Sequence, residues 1–141
     1  MNPVIFKEHY ATVTHYPDRH LLVLVWSGRP TKEEYQLPFL KMIDYGAKEK
    51  VTTMLSDISQ QGIINPDSRK WFEKEMMPRA VEAGLKRAAI VTNGNAFKLY
   101  YINLILGAVN KFPITTKLFN NQKDALNWLE EFQLVADSAV R

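Results

Sequence analysis

The chain has 141 residues, 46% of them hydrophobic, 23% charged and 11% aromatic, which is the profile of one folded domain and excludes a disordered or fibrous chain. It has no cysteine, so a disulfide framework, a zinc-thiolate site, an iron-sulfur cluster and a cysteine nucleophile are all excluded, and at this length a chain buries enough surface to fold without such staples. Eighteen Lys and Arg against fifteen Asp and Glu leave a net charge of +3. The basic residues come singly or in small groups (Lys48 with Lys50, Arg69-Lys70, Lys86-Arg87), with no stripe interleaved with aromatics, so nucleic acid is not an expected partner.

The first ten residues, MNPVIFKEHY, lack the charged start and apolar run of a secretory signal, and a cytoplasmic location is expected. The most apolar stretch, Ala96 to Val109, falls short of the roughly 20 residues that span a bilayer, so no membrane span is expected.

In chain order, Val4 to Phe6 and Tyr10 to Tyr16 are rich in β-branched and aromatic residues, Tyr16-Pro17-Asp18-Arg19 suits a turn, and His20 to Trp26 resumes as strand, which predicts a β-hairpin. In its second arm Leu22, Leu24 and Trp26 face one way and Leu21, Val23 and Val25 the other, which places that strand inside the sheet. Thr31 with Glu34 is a capping-box pattern opening a helix. Its inward stripe is Tyr35, Phe39, Met42 and Ile43, Pro38 should bend it, and Gly46 is its expected stop. Val51 to Ile58 reads as a strand. Asn65-Pro66 opens a second helix that runs to Gly84 with a break at Pro78, and Arg87 to Thr92 reads as a strand covered on both faces.

Asn95 is placed to cap the apolar helix Ala96 to Val109. Ile114 to Phe119 is the last strand, and Asn121 opens a final helix with Ala125, Leu129 and Phe132 inward, leaving 134–141 as a tail expected to fray. The order predicts a single α/β domain over 1–141: a mainly parallel five-stranded sheet with an opening hairpin and four helices around one hydrophobic core.

Chemistry is sparse. His15 and His20 flank the hairpin turn and could face each other, but two imidazoles make no metal centre, and they are expected as surface residues with no metal bound. The loop Thr92-Asn93-Gly94-Asn95 has one glycine and fits neither nucleotide-binding fingerprint. The GxSxG and HExxH patterns are missing, so no catalytic residue is assigned and no cofactor is expected. Asp57, at the carboxyl edge of a parallel sheet where α/β ligand sites lie, is a candidate contact, although an aspartate there also suits bonding to nearby loop amides.

The helix Ala96 to Val109 is apolar nearly all round. Phe97, Tyr100, Tyr101, Leu104, Ile105 and Ala108 lie on one side, and Leu99, Ile102, Leu106 and Val109 on the other. The second group is expected to form a homodimer interface unless the tail, a lipid or an apolar ligand covers it.

Taken in order, Trp26-Ser27-Gly28 before Thr31, Leu55-Ser56-Asp57, Ile64-Asn65-Pro66 with Trp71-Phe72, Pro78-Arg79-Ala80, the run Gly84 to Val91, and Phe119 with Ala125-Leu126-Asn127-Trp128-Leu129 resemble the STAS-like, SpoIIAA-like domains of bacteria. The resemblance implies a right-wound α/β sheet and a binding module rather than an enzyme. In the antagonists of that family an Asp-Ser pair at the start of the second helix carries the phosphorylated serine. The corresponding stretch here is Asn65-Pro66-Asp67-Ser68, which makes Ser68 a candidate contact while departing from the pattern. The expected function is a non-enzymatic regulatory domain acting through protein contacts; the alternative is a carrier or sensor of a lipid or other apolar molecule held by Trp71, Tyr100 and Tyr101, and an enzyme using Asp57 comes third.

Overall fold

Strand order in the sheet follows chain order. The computed structural model describes residues 1–93 and 96–140, with side chains described except at 96–98, 101 and 133–140. Six strands lie side by side: β1 (Val4–Glu8), β2 (Ala11–Tyr16), β3 (Leu21–Gly28), β4 (Thr53–Gln61), β5 (Arg87–Val91) and β6 (Thr115–Phe119). The first two pairings are antiparallel and the other three parallel. This is the expected α/β architecture with one strand more than the five predicted, because the chain turns at His9-Tyr10 and β1 folds back on β2. The turn before β3 is a short 3-10 segment, Pro17–Arg19, closed by His20 in the left-handed conformation at φ 51°.

Helix α1 (Lys32–Lys48) opens with the predicted capping box: the Thr31 amide donates to Glu34 Oε1 at 2.8 Å and the Glu34 amide to Thr31 Oγ1 at 3.2 Å. The helix passes through Gly46, which is buried against Val51 and Leu22 instead of ending the element.

The next helical run comprises α2 (Pro66–Trp71), a π turn (Phe72–Met76) and α3 (Met77–Ala83). Asn65 Oδ1 accepts the Ser68 amide at 2.8 Å, and Gly84 at φ 108° ends the run. The irregularity expected at Pro78 falls one turn earlier. Pro78 has no amide, and its ring would press on the carbonyl four residues back, so widening the preceding turn relieves both defects. The Met77 amide accordingly reaches the Phe72 carbonyl, five residues back.

Helices α4 (Ala96–Val109) and α5 (Gln122–Val140) complete the chain. The backbone of 134–140, expected to fray, continues α5. Asn95, the expected cap of α4, lies outside the described residues.

Strands β3 to β6 advance in one direction across the sheet, so right-handed crossovers put α1, α2–α3 and α4 on the same face. There Leu22, Leu24 and Trp26 meet Phe39, Met42, Met76, Ala80, Ile102 and Val109. Helix α5 follows the last strand and covers the other face, where Leu21, Val23, Leu55, Ala89 and Val91 meet Ala125 and Leu129. The sheet therefore divides the interior into two cores, not the single one expected, and β3 supplies both, as its two apolar faces predicted. Among the described residues no helix is long and apolar enough to cross a membrane.

Candidate ligand cavity

The three-helix face encloses an apolar space, and its position follows from side-chain size along the strands. Residues facing this side form rows across the sheet: Leu22, Met54, Ala88 and Thr116 in one, and Leu24, Ser56, Ile90 and Leu118 in the next. Ala88, Ser56 and Thr116 are short, and the large residues of the layer above leave space over them unfilled. A cavity of about 60 Å³ remains, floored by Met54, Ser56, Ile58, Ala88, Ile90 and Thr116. Tyr35 and Phe39 of α1, Phe72, Met76 and Met77 at the π turn, and Ile105 and Val109 of α4 roof it.

One end is fixed by stacked aromatics. Trp26, 1% exposed, stacks on Tyr35 with ring centroids 5.3 Å apart and planes 18° apart, and Phe39 meets Tyr35 edge-on at 5.1 Å. Tyr35 and Phe39 are four residues apart, one helical turn, and so present adjacent rings to the same partner. Trp71 packs on the outside of this group, 6.2 Å from Tyr35 and 6.1 Å from Phe39. Among the described residues the lining side chains with a polar atom that is not sulfur are Trp26, Tyr35, Ser56, Gln61 and Thr116, with no carboxylate, imidazole or ammonium group. Such a wall offers shape, dispersion contact and a few hydrogen bonds, which suits recognition of an apolar molecule. Three methionines and a π turn supply adaptable side chains and locally weakened helix bonding where the space would have to widen.

A second space adjoins the first. Between α2 and α4 runs a surface groove of about 280 Å³ lined by Tyr35, Pro66, Arg69, Lys70, Phe72, Glu73, Leu104, Ile105 and Ala108. Tyr35, Phe72 and Ile105 line both spaces and form the wall between them. Glu73 is bound across the groove end by Lys111, whose Nζ donates to Glu73 Oε1 at 2.6 Å.

The candidate residues separate. Asp57 has the same facing as Leu55, toward α5, and so lies across the sheet from the cavity. Its Oδ1 accepts the Ser59 amide at 3.0 Å and its Oδ2 accepts Gln122 Nε2 at 2.7 Å, so it ties the strand end to the start of α5. Strand β4 also runs on to Gln61, so Asp57 does not end it. Ser68 is 1% exposed and faces inward, with its amide held by Asn65 Oδ1. Tyr100 is 68% exposed on the outer side of α4, and the Tyr101 side chain lies outside the described residues.

The proposed interface residues are corrected as well. Ile102 and Val109 are buried in this chain's own core, at 0% and 3% exposure, and Leu106 packs against it, so of the four only Leu99 faces outward. A helix apolar on every side carries no sign of which stripe turns inward, and the tertiary fit selects Ile102, Ile105, Leu106 and Val109. Among the described residues the exposed large apolar side chains of α4 are Leu99, Tyr100 and Leu104.

His15, expected at the surface, is 3% exposed beneath α1. It stands opposite Leu22 instead of His20, and its Nδ1 lies 2.7 Å from the Tyr45 hydroxyl. Burial lowers its pKa, with Glu49 opposing and His20 adding to that effect. Alternation along β2 predicts which way His15 points, because Ala11 and Val13 on the same side are buried too. Gln61 and Tyr35 were missed as lining residues because each reads as an ordinary helix or strand position. Among the described residues no group of three His, Asp or Glu is placed to hold a metal ion.

Comparison with known proteins agrees with this architecture. The family model described as SpoIIAA-like matches residues 21–130. An uncharacterised protein of the DUF3478 family from Shewanella loihica PV-4, with a SpoIIAA-like fold, superposes with a TM-score of 0.56 at 21% identity over 92% of each chain. That likeness concerns the fold. No curated protein matches the sequence.

Proposed function

The chain belongs to the SpoIIAA-like family, and from that premise we propose that it is a cytoplasmic, non-enzymatic carrier or sensor that holds a small apolar molecule between its sheet and the three helices on one face. The observation that carries this reading is the cavity above Ser56, Ala88 and Thr116, roofed by aromatic and methionine side chains and separated from a groove by the shared wall of Tyr35, Phe72 and Ile105. Empty apolar space loses dispersion contacts on every lining atom, so a ligand that fills it gains what the protein alone forgoes. Native mass spectrometry of the purified protein tests this: a retained apolar molecule, lost on filling the cavity through Ala88→Val, is the expected result. Failure to retain or bind any apolar compound at millimolar concentration would overturn it.

A second reading, a regulatory domain acting through protein contacts, draws support from the outward Leu99, Tyr100 and Leu104 of α4. The two readings are compatible, because those residues lie on the helix that also roofs the cavity.

A further inference from the structure

We propose that the ligand is a single-chain amphiphile with an anionic head, its tail threaded past Tyr35, Phe72 and Ile105 into the cavity and its head held in the groove by Arg69 and Lys70. This rests on the cavity-binding reading above and deepens it. The cavity of about 60 Å³ takes only the end of an alkyl chain, whereas the adjoining groove of about 280 Å³ takes the remainder. A compact apolar molecule would leave the groove unused. A chain of several methylenes with one polar end fits the two spaces in sequence.

Charge fixes the polarity of that end. The groove carries Arg69 and Lys70, and its one acidic lining residue among those described, Glu73, is bound by Lys111 at 2.6 Å. Arg69 is half-buried, with its Nε enclosed, while Lys70 is exposed at the rim. A guanidinium at partial burial and an ammonium at the mouth suit a carboxylate or a phosphate, because charge-assisted bonds strengthen as water is excluded. The apolar side of the groove, Leu104, Ile105 and Ala108, continues into the cavity roof through Ile105.

Isothermal titration with decanoate, decyl phosphate, 1-decanol and inorganic phosphate tests the assignment on the full chain. Decanoate or decyl phosphate should bind at least tenfold more tightly than 1-decanol, and inorganic phosphate should not bind detectably. The preference between the two anions identifies whether the head is a carboxylate or a phosphate. Across hexanoate, octanoate and decanoate, affinity should rise about fourfold per methylene while the tail is still entering apolar space. Lys70→Glu, at an exposed position, should abolish the preference for the anion over 1-decanol; Arg69→Gln should do the same, with a melting curve confirming that the variant is folded.

Equal affinity for decanoate, decyl phosphate and 1-decanol would overturn the anionic head while leaving an apolar cavity ligand in place. Absence of binding for all three chains would overturn both readings. Binding of inorganic phosphate alone would place an anion in the groove with no connection to the cavity, and would overturn the threaded arrangement.

Discussion

Ala88→Val places two further carbons at the floor of the cavity, on a strand where a β-branched side chain is at home. If both are fully buried they remove apolar surface worth about 1.6 kcal/mol, at about 0.8 kcal/mol per methylene. A cavity of about 60 Å³ costs about 1.4 kcal/mol at about 24 cal/mol per Å³, so the two routes agree on the most that filling it can return. Ordering the new side chain and imperfect fit reduce the gain to about 1 kcal/mol, or about 3 °C in Tm for a chain of this size. Urea denaturation at fixed slope measures the first quantity and calorimetry the second. The same variant should weaken binding of a ten-carbon amphiphile by tenfold or more. Destabilisation by more than about 1 kcal/mol with ligand affinity intact would mean that neighbouring side chains already occupy the space, and the cavity argument would fail.

Three further outcomes follow from the same contacts. Asp57→Ala should cost about 1–3 kcal/mol, because the Ser59 amide and Gln122 lose their acceptor, and should leave ligand affinity per folded molecule unchanged; selective loss of ligand with an unaltered melt would return Asp57 to the site. Unfolded His15 titrates near 6.5 and the folded, buried group lower, so between those values only the unfolded chain takes the proton: stability contributed above pH 6.5 is lost as pH falls through the folded pKa, then levels off. Urea midpoints at pH 7.5 and 5.5 should therefore differ less in His15→Gln than in the native chain, and an equal drop in both would refute the role of His15. If α4 mediates self-association, Leu104→Lys should shift a dimer to monomer in analytical ultracentrifugation while Leu106→Lys should instead destabilise the fold; a dimer indifferent to Leu104→Lys would put the interface elsewhere.

The parts of the fold that could be read from sequence are those set by local chemistry. The Thr31–Glu34 capping box, the Asn65-Pro66 start and the Gly84 stop each depend on a few adjacent atoms, and each forms as expected. Strand β3 was legible because an alternation in which both sets are apolar fits only a strand with helices on both sides. The cavity was not legible, since Ser56, Ala88 and Thr116 lie on three different strands and come together only through register. Asp57 was placed correctly at the carboxyl side of the sheet but on the face away from the cavity, and Ser68 near a helix start but turned inward. In both cases the sequence locates the backbone position, while the side of the layer depends on which element packs above it.

Helix α4 shows how one local pattern serves two demands. Its inward stripe, Ile102, Ile105, Leu106 and Val109, has to be apolar because it closes the cavity and the core beneath it. Its groove edge, Leu104, Ile105 and Ala108, has to stay apolar for a different reason: it forms the apolar side of the groove, and a polar side chain there would hydrate it. A helix with both duties cannot keep a full polar face, so its all-round apolar character follows from bordering two spaces, and dimerisation is not required to explain it. Among the described residues, Leu99 and Tyr100 fall outside both duties, and with Leu104 they are the outward apolar side chains from which a partner surface is argued.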